Sequence, residues 1–219
     1  MTTLDIYADP VCPWCLIGKA FLDQALAQRP DHGMQITWWP FQLNPSLPPE
    51  GMDRRDYLEA KFGGKTQAVD HYTKVVEAAA TAGVEINLPT ITRQPNTRNA
   101  HRLIHWAAIE HKQDAVINIL MQGFFAKGLD LGDPKVLADL AGQAGMDSAL
   151  VARLLASDAD IEIVTAREAE ARQRGIDALP TFIVAGQYIV PGAQPAALWL
   201  QVIDELSGHS PRPEGTPLQ

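Results

Sequence analysis

Cysteine is scarce in this 219-residue chain, which contains only two, Cys12 and Cys15. A structural disulfide framework needs cysteines that are far apart in the sequence, because a bridge stabilises a fold mainly by closing a long loop of the unfolded chain. A bridge between Cys12 and Cys15 would close a very short loop. The pair is therefore not expected to serve stability, and its spacing indicates redox chemistry or metal binding.

Clustered positive charge and long apolar runs are also missing. The net charge is −8, and the short basic stretches, such as Arg54-Arg55 and Arg172–Arg174, are interrupted or flanked by acidic residues, as on a solvated face. No nucleic-acid surface is predicted. No segment reaches the roughly 18 apolar residues of a membrane-spanning helix, and the first residues do not form a secretory signal. We therefore expect a cytoplasmic protein without nucleic-acid or membrane partners.

Hydrophobic periodicity predicts a strand, a helix and a strand in the first part of the chain, at Leu4–Ala8, Trp14–Ala27 and Gln35–Leu43. The Pro-rich segment Asn44–Gly51 follows, and the pattern then becomes almost entirely helical as far as Ser157. The helices predicted in this middle part are Asp53–Phe62, Thr66–Ala82, Thr97–Lys112, Ala115–Lys127, Pro134–Ala144 and Asp147–Ala156.

The last part returns to mixed structure. Its predicted elements are a helix at Asp160–Arg174, strands at Leu179–Val184 and Gln187–Val190, and a helix at Gln194–Leu206. The turn Ala185-Gly186 predicts an antiparallel hairpin. The fold class is therefore α/β, with a mixed layer opened in its middle by a helical module. We expect one domain from residues 1–48 and 158–206, an insertion at 49–157 and a flexible tail at 207–219.

The run Asp9–Cys15 places the cysteine pair where a strand gives way to a helix. Disulfide exchange needs a thiolate that attacks and a second thiol that resolves the mixed disulfide. At a helix start, unpaired N–H groups and the helix dipole stabilise negative charge on Cys12, and Cys15 follows one turn later. Pro13 suits the first helical turn. Asp9 is either a proton acceptor for Cys15 or a turn former.

Zinc binding is an alternative for the same two cysteines. A zinc site needs about four ligands, and His101 and His105 lie four positions apart on one predicted helix. They belong to a different part of the chain from the cysteines, however, and the spacing matches no common zinc finger. No metal site is therefore expected, and both histidines are interpreted as packing at a module interface.

The motifs resemble the DsbA family of thioredoxin-fold proteins. The resemblance rests on Cys12-Pro13-Trp14-Cys15 after the first strand, on the late Leu179-Pro180-Thr181-Phe182 and on the helical insertion between them. The cytoplasmic FrnE-like branch is similar in three further features: Asp9, the run Pro95–His101 and the run Gly192–Pro195. The loop before Pro180 reads Asp177-Ala178-Leu179, where that branch commonly has Gly-Val, which leaves the substrate groove open to question.

The resemblance implies a thioredoxin fold with a large all-helical insertion, and a thiol–disulfide oxidoreductase that exchanges disulfides with protein substrates. It implies Cys12 and Cys15 as catalytic residues, and Pro13, Trp14, Leu179 and Pro180 as substrate-binding residues, with Pro180 in the position of a cis-proline. No bound cofactor and no metal are expected, and glutathione is a possible redox partner. His101 and Gln194 are candidates for lining the cleft. The sequence leaves the oligomeric state open.

Two other functions stay open. Kappa-type glutathione transferases and 2-hydroxychromene-2-carboxylate isomerases resemble the same inserted fold, but they typically carry Ser at the position of Cys12 and lack a resolving cysteine. The complete pair in this chain argues against them, and a glutathione enzyme should not need Cys15. A redox-linked chaperone that holds unfolded clients on the helical module is the third possibility.

Overall fold

The structure of the protein is a computed structural model, and it describes residues 1–207. The predicted tail therefore lies, apart from Ser207, outside the described residues. The strands are β1 (Thr2–Ala8), β2 (Met34–Pro40), β3 (Met52–Asp53), β4 (Arg93–Gln94), β5 (Thr181–Val184) and β6 (Tyr188–Pro191). The helices are α1 (Pro13–Gln28), α2 (Arg54–Phe62), α3 (Lys65–Thr81), α4 (Arg98–Ile109), α5 (Gln113–Phe125), α6 (Pro134–Gln143), α7 (Ser148–Leu155), α8 (Ile161–Gln173) and α9 (Ala196–Leu206), with a 3₁₀ turn at Leu88–Thr90.

The main sheet has the strand order β2-β1-β5-β6. β1 runs parallel to β2 and antiparallel to β5, and β5 forms a hairpin with β6. The hairpin turn contains Ala185 and Gly186, both with positive φ, which suits the twist of a tight antiparallel connection. The predicted hairpin and the α/β class are confirmed.

Alternation along the strands sends successive side chains to opposite faces of the sheet. On one face Leu4, Ile6 and Phe182 pack with Trp199 of α9 in the largest apolar cluster. On the other face Tyr7 and Ile183 pack with Phe41 and with Ala171 of α8. The sheet is thus covered by α1 and α9 on one side and by α8 on the other, as expected of a thioredoxin fold.

The insertion lies between β2 and α8 and consists of α2 to α7, with two additions that the sequence did not predict. The two-residue strands β3 and β4 pair with each other, and a 3₁₀ turn precedes β4. The insertion is therefore not wholly helical, contrary to the prediction. The sequence did not predict these strands, because a strand of two residues is too short to show a hydrophobic period. The second strand of the main sheet also ends earlier than predicted, at Pro40 instead of Leu43.

One continuous hydrophobic cluster joins the insertion to the sheet. Leu103, Phe124 and Leu137 of the insertion belong to the same cluster as Leu4 and Ile6. The edge strand β2 is also covered, because the side chain of Gln113 accepts a hydrogen bond from Trp38 N at 2.9 Å and donates one to Trp38 O at 2.8 Å. The division at residues 48/49 and 157/158 stays a prediction. The shared core packs the insertion against the sheet. No helix within residues 1–207 combines the length and apolarity needed to cross a membrane.

Candidate active site

The cysteine pair lies where β1 turns into α1. Cys12 is the N-cap residue of α1, and Pro13 occupies the first helical position, as the sequence indicates. The turn before the helix is fixed by a hydrogen bond from Cys12 N to Asp9 O at 3.0 Å, and the first helical turn by one from Cys15 N to Cys12 O at 3.0 Å. Cys12 is therefore held beside the free N–H groups of the helix, where the positive end of the helix dipole lies.

Both thiols are free in the structure and both are buried, but their surroundings differ. Cys12 lines a pocket of about 140 Å³, whereas Cys15 is not among the residues of its wall. The sheet side of the pocket is formed by Val11, Cys12, Pro13, Trp14, Leu43 and Leu179, and the insertion side by Arg54, Tyr57, Lys61, Phe62, His71, Tyr72 and Gln94. A ligand in this pocket would reach Cys12 first.

Burial raises the pKa of the Cys15 thiol well above its ordinary value. The hydrogen bond with Cys12 and the negative charges of Cys12 and Asp9 raise the pKa of Cys15 further, and a hydrogen bond with the Asp9 backbone opposes them. Cys15 is thus a protonated thiol at neutral pH and needs a proton acceptor before it can attack a disulfide.

Asp9 is fully enclosed in the turn that carries Cys12, with 1% of its surface exposed. Oδ1 accepts a hydrogen bond from Val11 N at 3.2 Å, and Oδ2 accepts from Leu43 N at 2.6 Å and from Thr97 Oγ1 at 3.0 Å. Burial raises the pKa of Asp9 to about 6, and these hydrogen bonds act against that rise. Asp9 therefore shapes the turn, and its raised proton affinity suits it to accept a proton.

His101 enters the same region from α4. Its Nε2 lies 3.9 Å from Asp9 Oδ1, and both side chains are 1% exposed. Burial lowers the pKa of His101 to about 4, and the charge of Glu168 acts in the opposite direction. The imidazole is therefore neutral. The sequence interpretation placed both histidines, with their polar groups satisfied, at a module interface. His101 is buried, but neither ring nitrogen has a hydrogen-bond partner within residues 1–207, and the sequence did not reveal that it lies against Asp9. The other histidine, His105, contacts Arg167 instead.

Leu179 and Pro180 lie opposite the start of α1, and the peptide bond between them is cis. Leu179 lines the pocket with Trp14. No hydrogen bond found within the described residues uses the main-chain N–H or C=O of Leu179. The structure therefore brings Cys12, Pro13, Trp14 and Leu179 together around one pocket, with Pro180 directly behind. Gln194 is not part of this wall, since its side chain donates to Pro191 O at 2.7 Å.

Arg54 was missed by the sequence interpretation, which placed Arg54-Arg55 on a solvated face. Arg55 is exposed, but Arg54 is only 6% exposed. Its guanidinium donates to Gln94 Oε1 and to Tyr72 Oη and lies over the rings of Tyr57 and Tyr72. No signal in the sequence marks it, because its environment comes from α3 and β4, far along the chain.

A metal centre finds no support in the described part of the chain. No group of three or more His, Cys, Asp or Glu residues within residues 1–207 is arranged to hold a metal ion. Of the two histidines considered for zinc, His101 lies against Asp9 and His105 contacts Arg167.

The sequence profile of the DsbA-like thioredoxin domain matches residues 3–204 of the chain. This protein belongs to that family. A probable DsbA oxidoreductase from Streptomyces coelicolor is similar to this DsbA-like chain in structure, with a TM-score of 0.83 and 31% identity over 100% of this chain and 93% of the other. The family assignment and the thioredoxin fold with a helical insertion are thereby confirmed. The chain has the fold of enzymes of the thiol–disulfide type.

Two more distant structures share the fold of this DsbA-like chain. One is 2-hydroxychromene-2-carboxylate isomerase, with a TM-score of 0.71 and 16% identity over 94% of this chain and 96% of the other. The other is the cytosolic disulfide reductase DsbM from Pseudomonas aeruginosa with GSH, with a TM-score of 0.66 and 14% identity over 94% of this chain and 99% of the other. At these identities the similarity establishes the fold alone.

Proposed function

We propose that this protein is a thiol–disulfide oxidoreductase that exchanges disulfides with protein substrates through Cys12 and Cys15. The observation that carries the proposal is the difference between the two thiols. Cys12 forms part of the wall of an open pocket at the N-terminus of α1, whereas Cys15 lies behind it, away from that wall. This arrangement suits an attacking thiol and a resolving thiol.

In the reducing direction, the Cys12 thiolate attacks one sulfur of the substrate disulfide, and the other substrate sulfur leaves as a thiolate. Cys15 then gives up its proton and attacks Cys12 Sγ. The Cys12–Cys15 bridge forms, the bond from Cys12 to the substrate breaks, and the second substrate thiolate leaves. Two electrons pass from the cysteine pair to the substrate. The oxidising direction is the reverse, and the redox potential of the pair against that of its surroundings decides between them.

Leu179 and Trp14 are the proposed contacts for the substrate chain next to its reacting cysteine. The free main-chain groups of Leu179 can pair with an extended peptide in the manner of an added strand. The apolar faces of Trp14 and Leu179 on the pocket wall suit the side chains beside that cysteine. Pro13 and Pro180 hold the two segments that present these groups.

The remaining assignments are part of the same proposal. The cycle requires no bound cofactor, and glutathione serves as a redox partner of the cysteine pair. We place the protein in the cytoplasm and in the FrnE-like branch of the family. The motif residues Asp9, Pro95–His101 and Gly192–Pro195 support the branch. DsbM from Pseudomonas aeruginosa, a protein of similar fold, is a cytosolic disulfide reductase, which is compatible with this placement.

A second candidate is a glutathione-dependent isomerase or transferase. It is favoured by the basic side chains of Arg54 and Lys61 on the wall that faces Cys12, because they could bind the carboxylates of glutathione. The fold shared with 2-hydroxychromene-2-carboxylate isomerase is compatible with it. The Cys15→Ala variant separates the two candidates. An oxidoreductase loses turnover without its resolving thiol, whereas a glutathione-dependent isomerase keeps it.

The proposal is tested by an equilibrium titration of the protein against mixtures of reduced and oxidised glutathione, with the thiol state read by mass spectrometry. A reversible loss of two hydrogen atoms per molecule, with no adduct at the end point, would establish the Cys12–Cys15 couple. Its midpoint would give the direction of exchange. A stable glutathione adduct on Cys12 without an intramolecular bridge would overturn the oxidoreductase proposal in favour of the second candidate.

A further inference from the structure

The partners of the Asp9 carboxyl group suit its ionised form better than its protonated form. Val11 and Leu43 contribute main-chain N–H groups, which can only donate. Thr97 Oγ1 donates at 3.0 Å and shares Oδ2 with Leu43. When Asp9 takes up a proton, its new O–H group needs an acceptor, and neither N–H group can provide one. The Thr97 hydroxyl can also accept, but it lies at Oδ2, whereas the hydrogen-bond partner of Oδ1 is Val11 N, which can only donate. A further acceptor near Oδ1 is therefore required if Asp9 is to carry the Cys15 proton on Oδ1 at low cost.

The side chain of His101 lies near Oδ1 and could supply this acceptor. Neither of its ring nitrogens has a hydrogen-bond partner among residues 1–207, although the side chain is 99% buried. A neutral imidazole has one N–H donor and one bare nitrogen, and leaving both unpaired in the interior costs about 1–3 kcal/mol. Nε2 lies 3.9 Å from Asp9 Oδ1, about 1 Å beyond hydrogen-bond length, so an approach of that size would join the two groups.

We propose that His101 is the positioning residue for proton transfer from Cys15 to Asp9. This inference rests on the function proposed above. The Cys15 S–H bond breaks and its proton moves to the Asp9 carboxylate, whose O–H then donates to the bare Nε2 of His101. The Cys15 thiolate attacks Cys12 Sγ, the substrate leaves as a thiolate, and the proton passes from Asp9 to that thiolate or to water.

Imidazole suits this position because it can reverse the direction of the hydrogen bond. While Asp9 is ionised, the tautomer with the proton on Nε2 can donate to Oδ1. Once Asp9 is protonated, Nε2 gives its proton to water and Nδ1 takes one from water, so that the imidazole stays neutral and Nε2 is bare to accept. A Leu side chain would fill the space but could do neither. A Gln side chain could do both, because its amide presents an oxygen and an NH₂ group.

Other charged groups around the pair set its proton affinity but do not replace His101. Glu168 on α8 acts on both Asp9 and His101, and its carboxylate accepts from Gln42 Nε2 at 2.9 Å and from Arg172 at 2.7 Å, so its hydrogen bonds are used. From α2, Tyr57 and Lys61 interact with Asp9 through charge alone. From α1, the thiols of Cys12 and Cys15 complete the set.

The test follows the two steps of exchange separately. Reduced protein is mixed with 5,5′-dithiobis(2-nitrobenzoate) in a stopped-flow instrument, and release of thionitrobenzoate is recorded from pH 5 to pH 9. The first equivalent reports attack by Cys12, and the second reports attack by Cys15 on the mixed disulfide. We expect His101→Leu to slow the second phase about tenfold at pH 7, the effect of one lost hydrogen bond, while the first phase is unchanged. His101→Gln should restore most of the second-phase rate.

The control is His105→Gln on the same helix, which should change neither phase, because His105 contacts Arg167 and not Asp9. A second phase in His101→Leu within twofold of wild type across the pH range would overturn the inference. If wild type itself releases only one equivalent, the function proposed above fails first, so the two failures are distinguishable.

A measurement on unaltered protein keeps the inference testable even if His101→Leu does not fold. ¹⁵N NMR of the imidazole nitrogens in reduced wild-type protein reports the tautomer of His101. We expect Nε2 to change from the protonated to the bare form as Asp9 takes up its proton on lowering the pH through about 6, the pKa of Asp9. A tautomer that stays constant through the titration of Asp9 would contradict the inference.

Discussion

At the scale of single residues, the buried carboxyl group that suits Asp9 to the proposed proton transfer also lowers the stability of the folded protein at neutral pH. Burial raises its pKa to about 6 in the folded protein, from an ordinary value of 3.8. The folded state therefore holds the proton more tightly than the unfolded chain between these two values. The stability that Asp9 contributes in its protonated form is present below pH 4 and is lost as the pH rises through about 6. Above that pH Asp9 is ionised, and the burial of its charge lowers the free energy of unfolding.

Asp9→Asn should remove that cost. We expect the variant to raise the free energy of unfolding at pH 8 by about 2 kcal/mol, somewhat less than the ~3 kcal/mol that a shift of this size represents, because the Asn NH₂ group cannot accept from Val11 N. At pH 4 the gain should vanish. Urea unfolding of the reduced protein at both pH values measures it, with the exposed Asp31→Asn as the control. A variant less stable than wild type at pH 8 would contradict this account.

His101 has the opposite pH dependence. Its pKa is lowered by burial to about 4 in the folded protein, from 6.5, so the unfolded chain binds the proton more tightly between those values. The stability that neutral His101 contributes is present above pH 6.5 and is lost as the pH falls through about 4. In wild type this loss on acidification largely offsets the gain from protonating Asp9.

Removing either side chain should therefore reveal how the other side chain alone makes the free energy of unfolding depend on pH. Between pH 7 and pH 4, His101→Gln should lose about 2–3 kcal/mol less stability than wild type, and Asp9→Asn should lose about 2 kcal/mol more. Both values come from the same urea titrations, compared as differences from wild type so that other groups cancel. If the two variants follow the wild-type pH profile, the buried pair does not titrate as described.

At the scale of elements, the site depends on how closely α1 approaches β5. A Cβ atom added at Gly18 would lie 3.0 Å from Pro180 Cγ, 3.3 Å from Ala193 Cα and 3.4 Å from Phe182 Cζ. These neighbours leave no room for a methyl group without movement. Gly18 therefore allows the helix that carries Cys12 to seat directly against the segment that carries Leu179 and Pro180.

Gly18→Ala should separate these two elements. We expect a loss of about 1–2 kcal/mol in the free energy of unfolding, because overpacking outweighs the better helix propensity of Ala. Exchange with a protein disulfide should slow more than exchange with 5,5′-dithiobis(2-nitrobenzoate), because the proposed substrate contact with Leu179 involves a peptide chain. Gly142→Ala in α6 is the matched control: it meets only the Ser148 side chain, and should keep full exchange rates. Equal rates in both variants would show that this close approach does not matter for exchange.

The sequence predicted long helices and strands well. It predicted short elements, and contacts between residues far apart in the chain, poorly. Helices such as α4 and α6 have a clear apolar period, and Asp133 and Asp147 cap α6 and α7 with hydrogen bonds to backbone N–H groups. The ladder of β3 and β4 has two residues in each strand, which is too short for any period. Likewise, Cys12 and Cys15 carry a local motif, whereas Arg54 gains its role only when α3 and β4 pack around it.

At the scale of the whole molecule, the charge beside Cys12 is opposite to the charge of the protein. The net charge is −8, yet Arg54 and Lys61 line the pocket, and no Asp or Glu within residues 1–207 does. His71 also lines the pocket, but burial lowers its pKa below the ordinary 6.5, so it is neutral at physiological pH. Charges farther away than about 8 Å are screened at physiological ionic strength, so the pocket wall dominates the potential close to Cys12. Both charged side chains come from the insertion, and we therefore expect the insertion to favour anionic substrates at Cys12.

Anionic disulfides should therefore react faster than cationic ones. We expect the second-order rate constant for glutathione disulfide with reduced protein to exceed that for cystamine by about tenfold at low salt, and the ratio to approach one as salt rises. Both reactions are followed by loss of free thiols in quenched samples. Lys61→Gln should reduce the ratio without altering the rate for a neutral disulfide, whereas Lys127→Gln, on an exposed surface outside the pocket, should leave the ratio unchanged. A ratio near one at low salt in wild type would mean that the basic wall does not select substrates by charge, and a ratio below one would mean that the net negative charge of the protein governs their approach.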